Sequence, residues 1–116
     1  FAPTQFEKSR DDLAPARRRH FVKADVERAK ALTDVDVFLT HESPHGMGFE
    51  EDYDVGCVHI DEILEAVEPH LCVIGHHHDH VEGRFGRTRV IGLDPVWESY
   101  YELDPQTLDL HRYPAP

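Results

Sequence analysis

Residues 71 to 80 read LCVIGHHHDH: four apolar residues, a glycine, then four histidines and an aspartate filling the next five positions. Four apolar side chains in succession leave no polar face, so a strand formed by this run must be covered on both sides. A chain of 116 residues is the size of one domain with one core, and in such a chain the cover comes from helices or from a second sheet. The run therefore asks for a layered α/β arrangement and places the histidines just past the carboxyl end of a buried strand. Internal and joined directly to an apolar segment, they belong to the fold and not to an appended tag.

The flanking sequence supplies the other layers. FAPTQFEKSRDDLAPARRRH, residues 1 to 20, is broken by Pro3, Pro15 and the arginines at 17 to 19, and reads as irregular. Val22, Val26 and Ala29 recur at helical spacing, which predicts an amphipathic helix from Val22 to near Thr33. VDVFL, residues 35 to 39, reads as a strand that delivers Thr40 and His41 at its end. HESPHGMGFEEDYDVG, residues 41 to 56, has the glycines, proline and carboxylates of a long loop. A second helix follows with Ile60, Ile63, Leu64 and Val67 on one face, stopped by Pro69. Beyond the histidines come short strands on either side of Gly86, then SYYEL and TLDLHRY joined by a turn at Asp104, Pro105 and Gln106. Helix and strand alternate first and strands follow, so the early strands are expected to be parallel and the late ones hairpins.

Composition narrows the function classes. Asp and Glu outnumber Lys and Arg 23 to 12, a net charge of −11 that repels nucleic-acid backbones and matches the solvated surface of a protein from a salt-rich cytoplasm. No apolar run approaches membrane-spanning length and no secretory segment is visible, so a cytoplasmic protein without a membrane partner is expected. Cys57 and Cys72 lack CxxC spacing and read as core thiols. The chain opens on Phe1 and its only methionine is Met47, which leads us to expect a segment of a longer protein.

His41 and the His76 group each follow a predicted buried strand, and ligands in α/β sheets gather at the carboxyl ends of parallel strands. The two can therefore meet despite their separation in sequence, and imidazole suits zinc, manganese or iron. By contrast, His20, His59, His70 and His111 are read as surface or core residues, Arg84, Arg87 and Arg89 as an exposed strand face, and Trp97, Tyr100 and Tyr101 as cover for the sheet.

THESP at 40 to 44 and GHHH at 75 to 78 together resemble the last two motifs of the calcineurin-like metallophosphoesterases, over roughly residues 35 to 113. That resemblance implies the C-terminal part of a layered α/β/β/α sandwich. It also implies hydrolysis of phosphate mono- or diesters at a centre of two divalent ions, Mn, Fe or Zn. His41 and His76 would bind one metal and His78 the other, and Gly75 would permit the close turn. His77, Asp79 and His80 have no role in the family, and they and His45 are read either as partners orienting the ligand imidazoles or as solvated loop.

The family's Asp-x-His, Gly-Asp and Gly-Asn-His elements are not matched, because Asp109 to His111 lies within a predicted strand. No residue of this chain is then expected to act as the catalytic acid or base. Three imidazoles cannot neutralise and bridge two dications, so this segment alone should be inactive and should need the N-terminal half of the same protein. An open strand edge at that boundary favours homo-oligomers. Two other readings remain: a non-catalytic histidine-rich metal-binding or interaction module, and a metallo-β-lactamase-fold hydrolase. The second is disfavoured because His76, His77, His78, Asp79 and His80 fall one residue short of that motif's spacing.

Overall fold

The computed structural model describes residues 3–18, 20–48 and 56–116. Within the loop at 41 to 56, positions 49–55 lie outside that range, and with them four of the loop's five carboxylates. The amino-terminal segment is less irregular than its prolines imply: a single helical turn, α1 (Pro3–Phe6), is followed by two 3-10 turns at Arg10–Asp12 and Pro15–Arg17. Helix α2 spans Lys23–Lys30, and the Asp25 carboxylate accepts the Val22 backbone N–H, satisfying one of the helix's unpaired amino-terminal donors.

A four-stranded sheet forms the middle of the molecule in the order β1-β2-β4-β3. Strands β1 (Val37–Thr40), β2 (Leu71–Ile74) and β4 (Thr88–Gly92) run parallel, and β3 (Val81–Phe85) is antiparallel to β4. The β3–β4 hairpin closes through Gly86 and Arg87, and Gly86 takes the left-handed conformation (φ 58°) that such a tight turn requires. A separate antiparallel pair, β5 (Ser99–Leu103) with β6 (Leu110–Pro114), completes the chain.

Helix α3 (Val58–Val67) connects β1 to β2 and ends at Glu68, in left-handed backbone, ahead of Pro69. The apolar face read from the sequence is the buried one: Ile60, Ile63 and Leu64 of α3 join Val26 of α2 against Cys72 and Ile74 of β2 and Val90 of β4. Cys72 is fully buried, and loss of water around it pushes its thiol up to about 12. Strand β2 is buried at Leu71, Cys72 and Ile74 and half-buried at Val73, so both of its faces are at least partly covered, as its uniformly apolar sequence demands.

Three expectations shift. Strand β1 begins at Val37 instead of Val35, because its pairing with the four-residue β2 starts at Val37↔Leu71. Strand β6 begins at Leu110, because the Asp104 carboxylate accepts the N–H groups of Gln106 and Thr107 and holds those residues in an extended turn. Trp97 does not cover the sheet: it is 71% exposed, and Tyr100 stacks on Tyr113 at the surface of the hairpin.

Candidate metal centre

The parallel register fixes where the site forms. Thr40, the last residue of β1, lies opposite Ile74, the last residue of β2, so the next residues of both strands emerge at the same level of the sheet. His41 follows Thr40 directly, and His76 stands one residue past Gly75. Their imidazoles meet, with His76 Nδ1 at 2.8 Å from His41 Nε2 and the rings nearly perpendicular. A carboxylate joins them: Glu42 Oε1 is 3.7 Å from His76 Nδ1.

The backbone that presents His76 is strained. His77 N–H donates to the Gly75 carbonyl across a three-residue turn (2.7 Å) with His76 at its centre and a φ of 65°, and His78 also has positive φ (61°). Gly75, expected to provide the tight geometry, is not a left-handed residue; the histidines carry that conformation themselves. Positive φ is several-fold commoner for histidine than for branched residues, yet such three-residue turns are rare and costly. Nor is glycine at position 75 needed for space, since a β-carbon there would stand 3.7 Å from His41 Nδ1, an ordinary contact.

His41, Glu42 and His76 form a group whose ligand atoms all lie within 4.8 Å of one another, and this group could hold a metal ion. At 2.8 Å one imidazole donates its N–H to the other. Two imidazole nitrogens on one tetrahedral ion, with bonds of about 2.1 Å, stand roughly 3.4 Å apart, so a shift of about 0.6 Å turns the pair into a chelate. The donor set fits: two neutral imidazoles and one carboxylate leave a bound dication with positive charge and open positions for water or an anion.

The other histidines of the motif are placed differently. His78 turns toward Trp97, ring centres 6.1 Å apart, and is not in the three-residue group. His77 lies edge-on to His76, and Asp79 is exposed on the turn. His80 stacks on Tyr101 and its Nδ1 is 2.8 Å from the Tyr101 hydroxyl, which in turn donates to Asp94. Asp94 also accepts from Ser99 and pairs with Arg112; the Ser99 hydroxyl first, and then Arg112, hold its carboxyl below the usual carboxylate range. The histidine loop is thereby tied to the β5–β6 hairpin. His45 sits apart from the cluster, its ring and backbone N–H both bound to Asp61 of α3. The sequence pattern alone does not single out Glu42, although its position beside His41 at a strand end is a usable signal.

Fold and site together define an α/β chain with a His/Glu cluster at the carboxyl edge of its parallel strands. The chain shares this fold with the crystal structure of TT1561 of Thermus thermophilus: the TM-score is 0.54 at 18% identity, over 78% of this chain and 38% of that one. It thus spans well under half of that structure's length. No family model matches the sequence, and no curated protein aligns with it. Among the described residues no helix is long and apolar enough to cross a membrane.

Proposed function

We propose that this chain supplies part of the metal centre of a phosphate-ester hydrolase, the C-terminal part of an α/β/β/α metallophosphoesterase sandwich. The observation that carries this reading is the convergence of His41, Glu42 and His76 at the carboxyl ends of two adjacent parallel strands. His41 Nε2 and His76 Nδ1 would hold a divalent ion, Mn, Fe or Zn, and the Glu42 carboxylate would offset part of its charge. The ion, when bound, supplies Lewis acidity and lowers the pKa of water to the point where hydroxide is available at neutral pH. The role of the chain's own groups is to fix the two imidazoles by strand register and to leave the solvent side of the cluster open to an anionic ester. His78, by the family pattern, would serve a second ion together with ligands from outside this chain. Its present contact with Trp97 leaves that to a rotation of the loop.

The test has two parts. Manganese binding to this chain, counted after removal of excess ion, is expected at about one ion per chain, and His41→Ala or His76→Ala is expected to weaken it at least about tenfold. In the full-length protein, His41→Ala is expected to reduce hydrolysis of bis(p-nitrophenyl) phosphate by about a hundredfold or more; unchanged turnover would rule the assignment out. A second reading, a non-catalytic metal-binding module, is favoured by the fact that all three grouped ligands come from this chain. Tight binding lost on His41→Ala, with no hydrolysis by the full-length protein, would select it.

A further inference from the structure

A cavity of about 680 Å³ opens on the amino-terminal side of the cluster, within the range of small-molecule sites. Four rings line it, among the described residues, His20 being one; of the other three, Phe6 stacks on His59 (centroids 4.1 Å apart, planes at 18°), and Phe21 stands edge-on to both, 5.9 Å from His59 and 6.2 Å from Phe6. The three come from α1, the segment before α2, and α3, and their mutual packing fixes the aromatic wall in advance of any ligand. Glu42 lines the same cavity and belongs to the metal cluster, so the cavity and the candidate metal centre share a wall. A second carboxylate, Glu7, also lines it and pairs with Lys23 at 3.4 Å.

We infer that this cavity receives the planar, aromatic organic group of a phosphate ester whose phosphate lies at the His41–Glu42–His76 cluster. This deepens the phosphoesterase reading and rests on it. Aromatic walls favour a flat apolar group through stacking. Of the two carboxylates Glu7 is paired with Lys23, and the rest of the lining is Cys57 and rings, so the group beside Phe6 and Phe21 is uncharged and the charged end of the ester goes to the cluster.

The chain carries its own reporter. Cys57 lines the cavity and is half-buried, whereas Cys72, the other cysteine, is fully buried. Alkylation by iodoacetamide, mapped by mass spectrometry, therefore reads Cys57 selectively. With Mn2+ present, phenylphosphonate at ten times its dissociation constant is expected to slow labelling of Cys57 roughly tenfold, and methylphosphonate at the same concentration by less than about twofold. Phe6→Leu, which keeps an apolar side chain but removes a ring, is expected to abolish most of that protection. Equal protection by the two phosphonates, or none by phenylphosphonate while Mn2+ still binds, would overturn the inference. Benzyl alcohol separates this from the metal assignment. If it slows labelling with or without Mn2+ while no ion binds, the aromatic cavity stands and the metal reading falls; if it leaves labelling unchanged, the cavity assignment falls instead.

Discussion

Asp94 shows how much one side chain can organise. Its carboxylate accepts from Ser99 and Tyr101 and pairs with Arg112, joining the start of the hairpin, its second strand and, through Tyr101, the loop that carries His80. These contacts lower its pKa from the ordinary 3.8, with the Ser99 hydroxyl the largest cause. A carboxyl whose folded pKa is depressed adds stability that is complete above its unfolded value and is lost as pH falls through the folded one. Asp94→Asn is therefore expected to destabilise the chain at neutral pH. The gap from the unsubstituted protein should close as pH drops below about 4, read from urea midpoints by far-UV circular dichroism. A gap that stays constant with pH would assign the effect to packing.

At the scale of elements, the β3–β4 hairpin contains a local conflict. Arg84 and Arg89 stand directly opposite each other, and only Arg89 has an acidic neighbour among the described residues, Glu82 at 2.8 Å. Like charges at a cross-strand position are destabilising, so Arg84→Glu is expected to raise stability by about 0.5 kcal/mol in low salt, the gain shrinking as salt screens it. Measurement of the denaturant midpoint at two ionic strengths checks both halves of that statement.

The elements also show which sequence signals carry structure. Strand β2 is visible as LCVI because burial on both faces writes itself into every residue, and β5 coincides with SYYEL. The start of β1 is not visible, because Val35 has the same local propensity as Val37 and the partner strand decides where pairing begins. The meeting of His41 with His76 could be anticipated from the rule that ligands gather at parallel strand ends. Glu42 has only its position beside His41 to mark it, because alternation stops where the strand does. The orientation of His78 is not legible, since it lies on a turn in which two non-glycine residues take positive φ.

Across the whole molecule the sheet has two edges, β1 and β3. β3 is a short strand bearing charged residues, which discourages pairing with another chain. β1 is a parallel strand with no strand partner on its outer side among the described residues, and its Leu39 is 72% exposed while the neighbouring Phe38 packs on the core. Such an edge is a template for association, and Leu39→Lys is expected to shift the chain toward monomer in sedimentation velocity while changing stability by less than about 0.5 kcal/mol. Self-association equal to that of the unsubstituted chain would place the contact elsewhere.

The cluster at the strand ends has a consequence beyond chemistry. His41 and His76 touch although 35 positions separate them, with all of α3 in between. An ion gripping both is a removable cross-link, and by the chain-entropy relation for covalent bridges, closing a loop of that length restricts the unfolded chain by about 4 kcal/mol. Occupancy would clamp β1 to β2 at their carboxyl ends. The supply of metal would then govern how long the folded chain withstands proteolysis, and a chelator would shorten that lifetime before any substrate is involved.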